Sequence, residues 1–199
     1  MRGPRFIWLV AIGLMLSASV VAHDTDEESA QIAELMELEP GMIVADVGAG
    51  EGGFGERLAR RVGKSGHAYL TEIGERELEK IRDRLDRSDL TNMSVVQGET
   101  DQTNLPTACC DAILLRYVVH HMSDPDDMYS SLRRSLRPYG KLVIVEKDEP
   151  GDGIEADDLV EGLRKAGFDV LSRHPEWGGH EESYAIVFQV LPVIHGDSG

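Results

Sequence analysis

Apolar residues recur along the chain in two alternating patterns, which predict helices and buried strands in turn. Stretches in which apolar residues return every three or four positions predict amphipathic helices. Short, nearly continuous apolar runs predict strands that are buried on both faces. The predicted helices are 28–39, 54–62, 75–90, 125–137 and 156–166, and the predicted strands are 42–47, 67–73, 93–97, 112–119, 141–146, 169–173 and 183–191.

The order of these elements indicates the fold class. Strands that alternate with helices imply a parallel sheet with helices on both faces. The last two strands have no helix between them, so we expect them to form a hairpin at one edge of the sheet. The best-marked helix start is Asp124-Pro125, where an N-cap acid precedes a proline suited to the first helical position. The sequence therefore predicts an α/β protein with one mostly parallel sheet.

The first 22 residues have the pattern of a targeting segment. Arg2 and Arg5 precede an uncharged apolar run, 6–22, and the chain turns acidic directly after it. This order is typical of a secretory signal, and we expect cleavage after Ala22. The alternative is an uncleaved membrane anchor of marginal length. Either way we expect an exported, periplasmic or membrane-anchored protein, with residues 1–22 as the leader and 23–199 as the domain.

Composition excludes several classes of partner. The 199 residues carry 20 Lys and Arg against 36 Asp and Glu, for a formal charge of −16. So acidic a chain is poorly suited to bind nucleic acid or anionic lipid, both of which are held by clustered basic residues. Cys109 and Cys110, the two cysteines, are adjacent and cannot supply a four-ligand zinc site. The length suits a single domain acting on a small molecule.

A glycine-rich segment, 46–53 (DVGAGEGG), lies where a predicted strand ends and a predicted helix begins. Ligands bind at this place in doubly wound sheets, because the carboxyl ends of the strands meet there. Glycines let the backbone turn sharply and approach a ligand without interference from Cβ. Glu72 ends the next strand, where a carboxylate can accept both hydrogen bonds of a ribose diol. Together these features predict a nucleoside-binding site.

Two nucleoside cofactors are compatible with this turn. Gly48, Gly50 and Gly53 satisfy G-x-G-x-x-G, the pattern of dinucleotide sites such as those for NAD. However, a pyrophosphate needs the N-terminus of the helix, and Glu51 would repel it there. Asp46 also places an acid where a dinucleotide site continues its apolar strand. A ligand with a cationic centre and an amino group, S-adenosylmethionine, is the better match.

With these motifs, the chain resembles the class I S-adenosylmethionine-dependent methyltransferases, particularly the small-molecule type related to ubiquinone/menaquinone biosynthesis methyltransferases. The resemblance covers most of the chain after residue 30. Residues 44–50 (VADVGAG) look like the first motif of the family, and Glu72 looks like its ribose-binding acid. By this resemblance the first motif supplies four cofactor-binding residues: Asp46, Gly48, Ala49 and Gly50.

Later segments extend the resemblance. Residues 96–101 (VQGETD) look like the adenine loop of the family, which implies cofactor contacts from Glu99, in place of the usual Asp, and from Thr100. The strand that contains Arg116 matches the one bordering the methionine portion of the cofactor, so Arg116 joins the predicted site. Residues 136–142 (LRPYGKL) match a turn of the family. The resemblance implies a single-domain, Rossmann-like fold whose seven strands have the order 3-2-1-4-5-7-6, the last antiparallel.

Methyl transfer requires little chemistry from the protein. The sulfonium is already activated, so catalysis is mainly positioning of the acceptor and exclusion of water. A base is needed only when the acceptor must lose a proton. His120 and His121, directly after a predicted strand, are the candidates for this base, although one could equally pack beneath the next helix and the other cap it. We expect no metal, because helix capping already accounts for the acids at 124–127.

The sequence thus favours a methyltransferase that transfers a methyl group from S-adenosylmethionine to an unidentified small molecule. Two alternatives stay open. Export would separate the protein from cofactor made in the cytosol, so the domain could be a non-catalytic nucleoside-binding module. The third interpretation is an NAD-binding oxidoreductase. The sequence predicts neither the acceptor nor the oligomeric state.

Overall fold

A computed structural model describes residues 26–122, 125–149, 151, 153–179 and 181–190, and the predicted leader lies outside them. The helices are α1 (26–35), α2 (Gly53–Val62), α3 (Glu75–Arg87), α4 (Pro125–Ser135) and α5 (Ala156–Lys165). The strands are β1 (Ile43–Val47), β2 (His67–Glu72), β3 (Met93–Gln97), β4 (Cys110–Arg116), β5 (Leu136–Lys147), β6 (Phe168–Pro175) and β7 (Ser183–Val190). Single 3₁₀ turns cover Val119–His121 and Trp177–Gly179.

The seven strands form one sheet in the order β3-β2-β1-β4-β5-β7-β6, which confirms the predicted topology. Strands β1 to β5 run parallel to one another. Strand β7 is antiparallel to both β5 and β6, so the last two strands form the expected hairpin. The carboxyl ends of β1, β2, β3, β4 and β5 consequently share one edge of the sheet.

The core consists of two apolar layers, one on each face of the sheet. Strand β4 shows the alternation, because Ile113 and Leu115 pack into one layer and Leu114 packs into the other. The first layer includes Tyr129 of α4, and the second includes Leu58 of α2. Burying each side chain of this kind contributes roughly 1.5–3 kcal/mol. Burial on both faces explains why the central strands are continuous apolar runs rather than alternating ones.

Among the predicted boundaries that were wrong, two lie beside the cleft strands, at the end of β4 and at the start of β5. The predicted strand 112–119 ends at Arg116, since Val119 already belongs to a 3₁₀ turn. The predicted turn at 136–142 lies inside β5, although Tyr139 has a left-handed φ of 64°. The reason is tertiary: Leu136 pairs with Cys110 across an irregularity in the register, so a turn-like segment is held against β4.

None of the helices in the described residues is long and apolar enough to cross a membrane.

Candidate functional site

A cleft opens at the carboxyl edge of the sheet, where the glycine-rich turn leaves β1. It encloses about 550 Å³ of empty space, including its open mouth. Its walls come from the ends of β1 and β2 and from the segments that follow β3 and β4. The lining residues are Val47, Gly48, Thr71, Glu72, Ile73, Gly98, Glu99, Thr100, Gln102, Thr103, Val118, His121, Met122 and Met128.

Gly48 forms the floor of the cleft, in a conformation that requires glycine. Its φ is +73°, and a Cβ built on it would lie 2.5 Å from Cγ2 of Val118. The backbone N–H groups of Gly48 and Ala49 both donate to the carbonyl oxygen of Thr71, at 3.0 and 2.9 Å. These bonds fix the turn against β2. The absence of a Cβ therefore lets the Val118 side chain pack directly against the turn.

Glu72 faces the cleft and also holds the turn in place. Its Oε2 accepts a hydrogen bond from the backbone N–H of Gly50 at 3.0 Å, and its Oε1 accepts one from the N–H of Ile73 at 2.9 Å. Each carboxylate oxygen can accept two hydrogen bonds. One acceptor position therefore remains on each oxygen, which is the arrangement needed for two adjacent hydroxyl groups.

The segment after β3 forms the opposite wall. Gly98 is tied to the end of β2 by a hydrogen bond from its N–H to the carbonyl oxygen of Glu72, at 3.0 Å. The backbone N–H of Glu99 donates to the carbonyl oxygen of Gln102, at 2.7 Å, which closes a small loop. Beneath the loop, the buried hydroxyl of Thr103 contacts the Ser131 hydroxyl of α4 at 3.1 Å. Glu99 and Thr100 are thus presented to the cleft by an anchored loop.

Asp46 is an acid buried in the middle of the sheet. It is 3% exposed, and its Oδ2 has no hydrogen-bond partner. Burial raises the pKa of Asp46 to about 7, against partial compensation from the backbone N–H of Gly55 and the charge of Arg116. A buried acceptor without a partner is uncommon in native proteins. Asp46 is therefore a buried acid with an unpartnered oxygen that lies behind the glycine turn, outside the lining of the cleft.

Arg116 is held away from the cleft. Its guanidinium makes a two-point ion pair with Glu28 of α1, at 3.0 Å from Nε and 2.8 Å from Nη2. It also lies 4.4 Å from the ring centroid of Phe54 and 4.6 Å from that of Tyr117. Trp177 donates a third hydrogen bond to Glu28 at 3.2 Å. The charge of Arg116 is close enough to act on Asp46, but the residue does not line the cleft.

The two candidate bases lie in different surroundings. His121 is exposed and lines the cleft. His120 packs behind it, where its Nδ1 is 2.7 Å from Oε1 of Glu146. Glu146 is completely buried at the end of β5. The structure therefore separates two adjacent histidines that the sequence analysis treated as equivalent.

The cleft brings together part of the predicted site. Five of the predicted residues line it: Gly48, Glu72, Glu99, Thr100 and His121. Five lie behind or beside it: Asp46, Ala49, Gly50, Arg116 and His120. Glu51, which was expected to act on the ligand, instead pairs with Lys80 at 2.7 Å and does not line the cleft. A role for each of these residues in cofactor binding stays a prediction.

Several residues of the site were not found by sequence reasoning. Val118, Met122 and Met128 form an apolar wall beside His121, and Glu146 supports His120 from a different strand. Glu146 had one usable signal, because it is an acid at the end of an apolar strand adjacent to β4 in the sheet. The methionines had none, since methionines in amphipathic segments usually belong to the core.

The described part of the chain contains no candidate metal-binding cluster. No group of three or more His, Cys, Asp or Glu side chains is placed to hold an ion there. The residues present instead fit a nucleoside cofactor with an amino group. Glu72 has acceptor positions left for a diol, Asp46 has an acceptor oxygen without a partner, and the backbone of Gly48 lines the cleft.

Comparisons with known proteins agree with this geometry. Residues 38–170 match a family described as "Methyltransferase domain". The ubiquinone/menaquinone biosynthesis C-methyltransferase UbiE of Vibrio cholerae is 30% identical over 136 residues, which are 68% of this chain and 49% of that protein. The chain thus spans about half the length of the curated relatives it matches.

Solved structures share the fold at low sequence identity. A SAM dependent methyltransferase from Aquifex aeolicus has a TM-score of 0.76 at 23% identity, covering 82% of this chain and 89% of that one. The glycopeptide N-methyltransferase MtfA, complexed with sinefungin, has a TM-score of 0.66 at 16% identity, covering 83% and 85%. At this level of identity the likeness shows a common fold.

Proposed function

This chain belongs to the methyltransferase domain family, and on that premise we propose that it binds S-adenosylmethionine in the cleft and transfers the methyl group to a small molecule. The observation that carries the proposal is the buried carboxylate of Asp46, whose Oδ2 has no hydrogen-bond partner. This carboxylate lies close behind the glycine turn and Glu72, and Glu72 can accept hydrogen bonds from a diol. S-adenosylmethionine is an amino acid joined to a nucleoside, so it supplies an ammonium group for Asp46 and a ribose diol for Glu72. An in-line displacement then gives the methylated acceptor.

The residues of the chain bind the cofactor and orient the acceptor. Glu72 accepts from the ribose hydroxyls, Asp46 stabilises the ammonium group, and Gly48 lets the cofactor lie against the backbone. The loop of Glu99 and Thr100 borders the base. The bound sulfonium supplies an activated methyl group, so the chain has to fix the acceptor in line and exclude water. Export of the domain, as expected from the leader, is part of the same proposal.

The same geometry argues against a dinucleotide. A pyrophosphate would need free backbone N–H groups at the start of α2. Asp46 lies buried close to that turn, and its ionised form would repel a phosphate. Asp46 therefore argues against NAD binding. Glu51 no longer does, because it pairs with Lys80. A non-catalytic nucleoside-binding module would use the same pocket, and its only separate support is the predicted export.

Titration calorimetry of the full chain with S-adenosylmethionine, its demethylated product and NAD tests the proposal. We expect the first two to bind and NAD not to bind. Glu72→Ala removes both diol acceptors and should weaken binding by about 10²–10⁴-fold, since hydrogen bonds to a charged group are worth roughly 1.5–3 kcal/mol each. Glu72→Gln, which keeps one carbonyl acceptor, should lose less.

Glu75→Gln is the matched control, because Glu75 is an exposed acid in the next helix that pairs with Arg82 and does not line the cleft. It should bind like the wild type. Equal affinity of wild type and Glu72→Ala would remove Glu72 from the site, and preferential binding of NAD would refute the proposed cofactor.

A further inference from the structure

The two cysteines lie at the amino edge of the sheet, opposite the cleft. Cys110 is the first residue of β4 and Arg116 is the last, so about 20 Å of strand separates the thiols from the carboxyl edge. Cys109 is half-buried and Cys110 is fully buried. The proposed function uses neither residue, which leaves two thiols at this edge of the molecule without an assigned role.

An irregularity in β4 brings both cysteine side chains to the same face of the sheet. Along the rest of the strand the side chains alternate, with Ile113 in one apolar layer and Ala112 and Leu114 in the other. By that alternation Cys110 would belong to the layer of Ala112. It packs instead into the layer of Ile113, and Cys109 packs against the same layer. The register shift between Cys110 and Ala112 accounts for this, because such an irregularity re-aims a side chain.

The spacing of the two cysteines argues against a disulfide between them. Consecutive Cα atoms are about 3.8 Å apart across a trans peptide bond, whereas the Cα atoms of disulfide-bonded cysteines are usually about 4.4–6.8 Å apart. Both cysteines are free thiols in the structure. The pair is therefore better suited to hold a ligand between its sulfur atoms than to close on itself.

The polar groups around the pair favour a thiolate at Cys109. Hydrogen bonding with Cys110 lowers the pKa of the Cys109 thiol and raises the pKa of Cys110. The Arg137 guanidinium, which is paired with Asp111, also lowers the pKa of Cys109. Burial raises the pKa of the Tyr69 hydroxyl, and charge on either thiol raises it further. A half-buried thiolate with a second thiol beside it is a donor set suited to a soft cation.

Two sulfur ligands alone select among metal ions. In the described residues no group of three or more His, Cys, Asp or Glu side chains is placed to hold an ion, so zinc, which takes four ligands, would be incompletely bound. Thiolates are soft donors that favour copper(I), and copper(I) is satisfied by two sulfur ligands in a linear arrangement. The formal charge of −16 also favours the approach of a cation.

We propose that Cys109 and Cys110 form a second site, in which two thiolates bind a soft metal ion of the copper(I) type. The ion forms one bond to each sulfur, each thiol gives its proton to water, and no electron is transferred. Cys109 receives the ion from solvent, and Cys110 completes the site from the buried side. The site is independent of the proposed function, because it lies at the other edge of the sheet. If it holds, the sequence-based expectation of no metal is wrong.

Competition for copper(I) tests the proposal on the full chain, with bicinchoninate as the coloured indicator and ascorbate as the reductant. We expect the wild type to remove copper(I) from the indicator. Cys109→Ser should weaken this binding by more than about 100-fold, since even the outer partners of metal ligands are worth about 10–100-fold, and Cys110→Ala should do the same. His174→Gln is the matched control, because it removes an imidazole from β6, at the far edge of the sheet, and should bind copper(I) like the wild type.

X-ray absorption at the copper edge identifies the atoms that bind the ion. We expect two sulfur neighbours in the wild type. A nitrogen neighbour in place of either sulfur would assign the ion to an imidazole and would overturn the site.

The variants decide the remaining points. Circular dichroism should show that Cys109→Ser is folded, since Cys109 is only half-buried. If Cys110→Ala does not fold, Cys109→Ser and the two sulfur neighbours decide the question. Equal copper(I) affinity of the wild type and Cys109→Ser would overturn the site. Loss of zinc binding in Cys109→Ser without loss of copper(I) binding would overturn the class of ion.

Discussion

Asp46→Asn should stabilise the ligand-free protein in a pH-dependent way, because the native acid is buried without a partner for Oδ2. Burial raises the pKa of Asp46 from 3.8 to about 7. The native state therefore holds this proton more tightly than the unfolded chain does. The acid costs no stability below pH 3.8, a growing amount up to pH 7, and a constant amount above. The full cost is about 4 kcal/mol, from 1.36 kcal/mol per pKa unit.

Urea denaturation followed by circular dichroism at pH 5.5 and 8.5 measures the effect. Between these two pH values the destabilisation caused by Asp46 should grow by about 2 kcal/mol, and most of this increase occurs below pH 7. The free energy of unfolding of Asp46→Asn should therefore exceed that of the wild type by about 2 kcal/mol more at pH 8.5 than at pH 5.5. Asp157→Asn, at an exposed position of α5, is the control and should follow the wild-type curve.

Cofactor binding should favour the ionised form of Asp46, whereas folding of the ligand-free protein favours the protonated form. An ammonium group at Asp46 favours the carboxylate, so calorimetry at pH 6.5 in buffers of different ionisation enthalpy should detect release of about 0.8 proton. Asp46→Asn should bind more weakly and release none. Parallel stability curves for wild type and Asp46→Asn would refute the claim that Asp46 carries a buried, unpaired charge.

Three further predictions concern other parts of the chain. Gly48→Val should abolish cofactor binding in calorimetry, because φ is +73° and Val118 occupies the space of a Cβ; near-native affinity would show that this turn is not the wall of the pocket. Glu28→Gln should lower the free energy of unfolding by roughly 1–3 kcal/mol in urea, since Arg116 loses its charged partner; an unchanged value would mean the pair is not stabilising. N-terminal sequencing should find a mature chain that begins at or near His23, and an intact Met1 would contradict the predicted leader.

Sequence periodicity predicted the order of strands and helices, and with the resemblance it predicted the sheet topology that the structure confirms. It succeeded because the signals are local. A continuous apolar run such as that around Ile113 specifies a strand buried on both faces, and the glycines of the turn report a backbone conformation that few other residues adopt. The end of β1 and the end of β2 were placed by the same local patterns, which is why Gly48 and Glu72 were found.

Only the tertiary structure distinguished between residues of one type. His120 and His121 are neighbours in the chain, yet one is tied to Glu146, 26 residues away, and the other faces the cleft. Arg116 pairs with Glu28, 88 residues away, and no local pattern indicated that partner. Asp46 was recognisable as an acid, but its burial and its missing partner were not. Hydrogen-bond partners and desolvation depend on which distant elements pack together, and a local pattern carries no information about them.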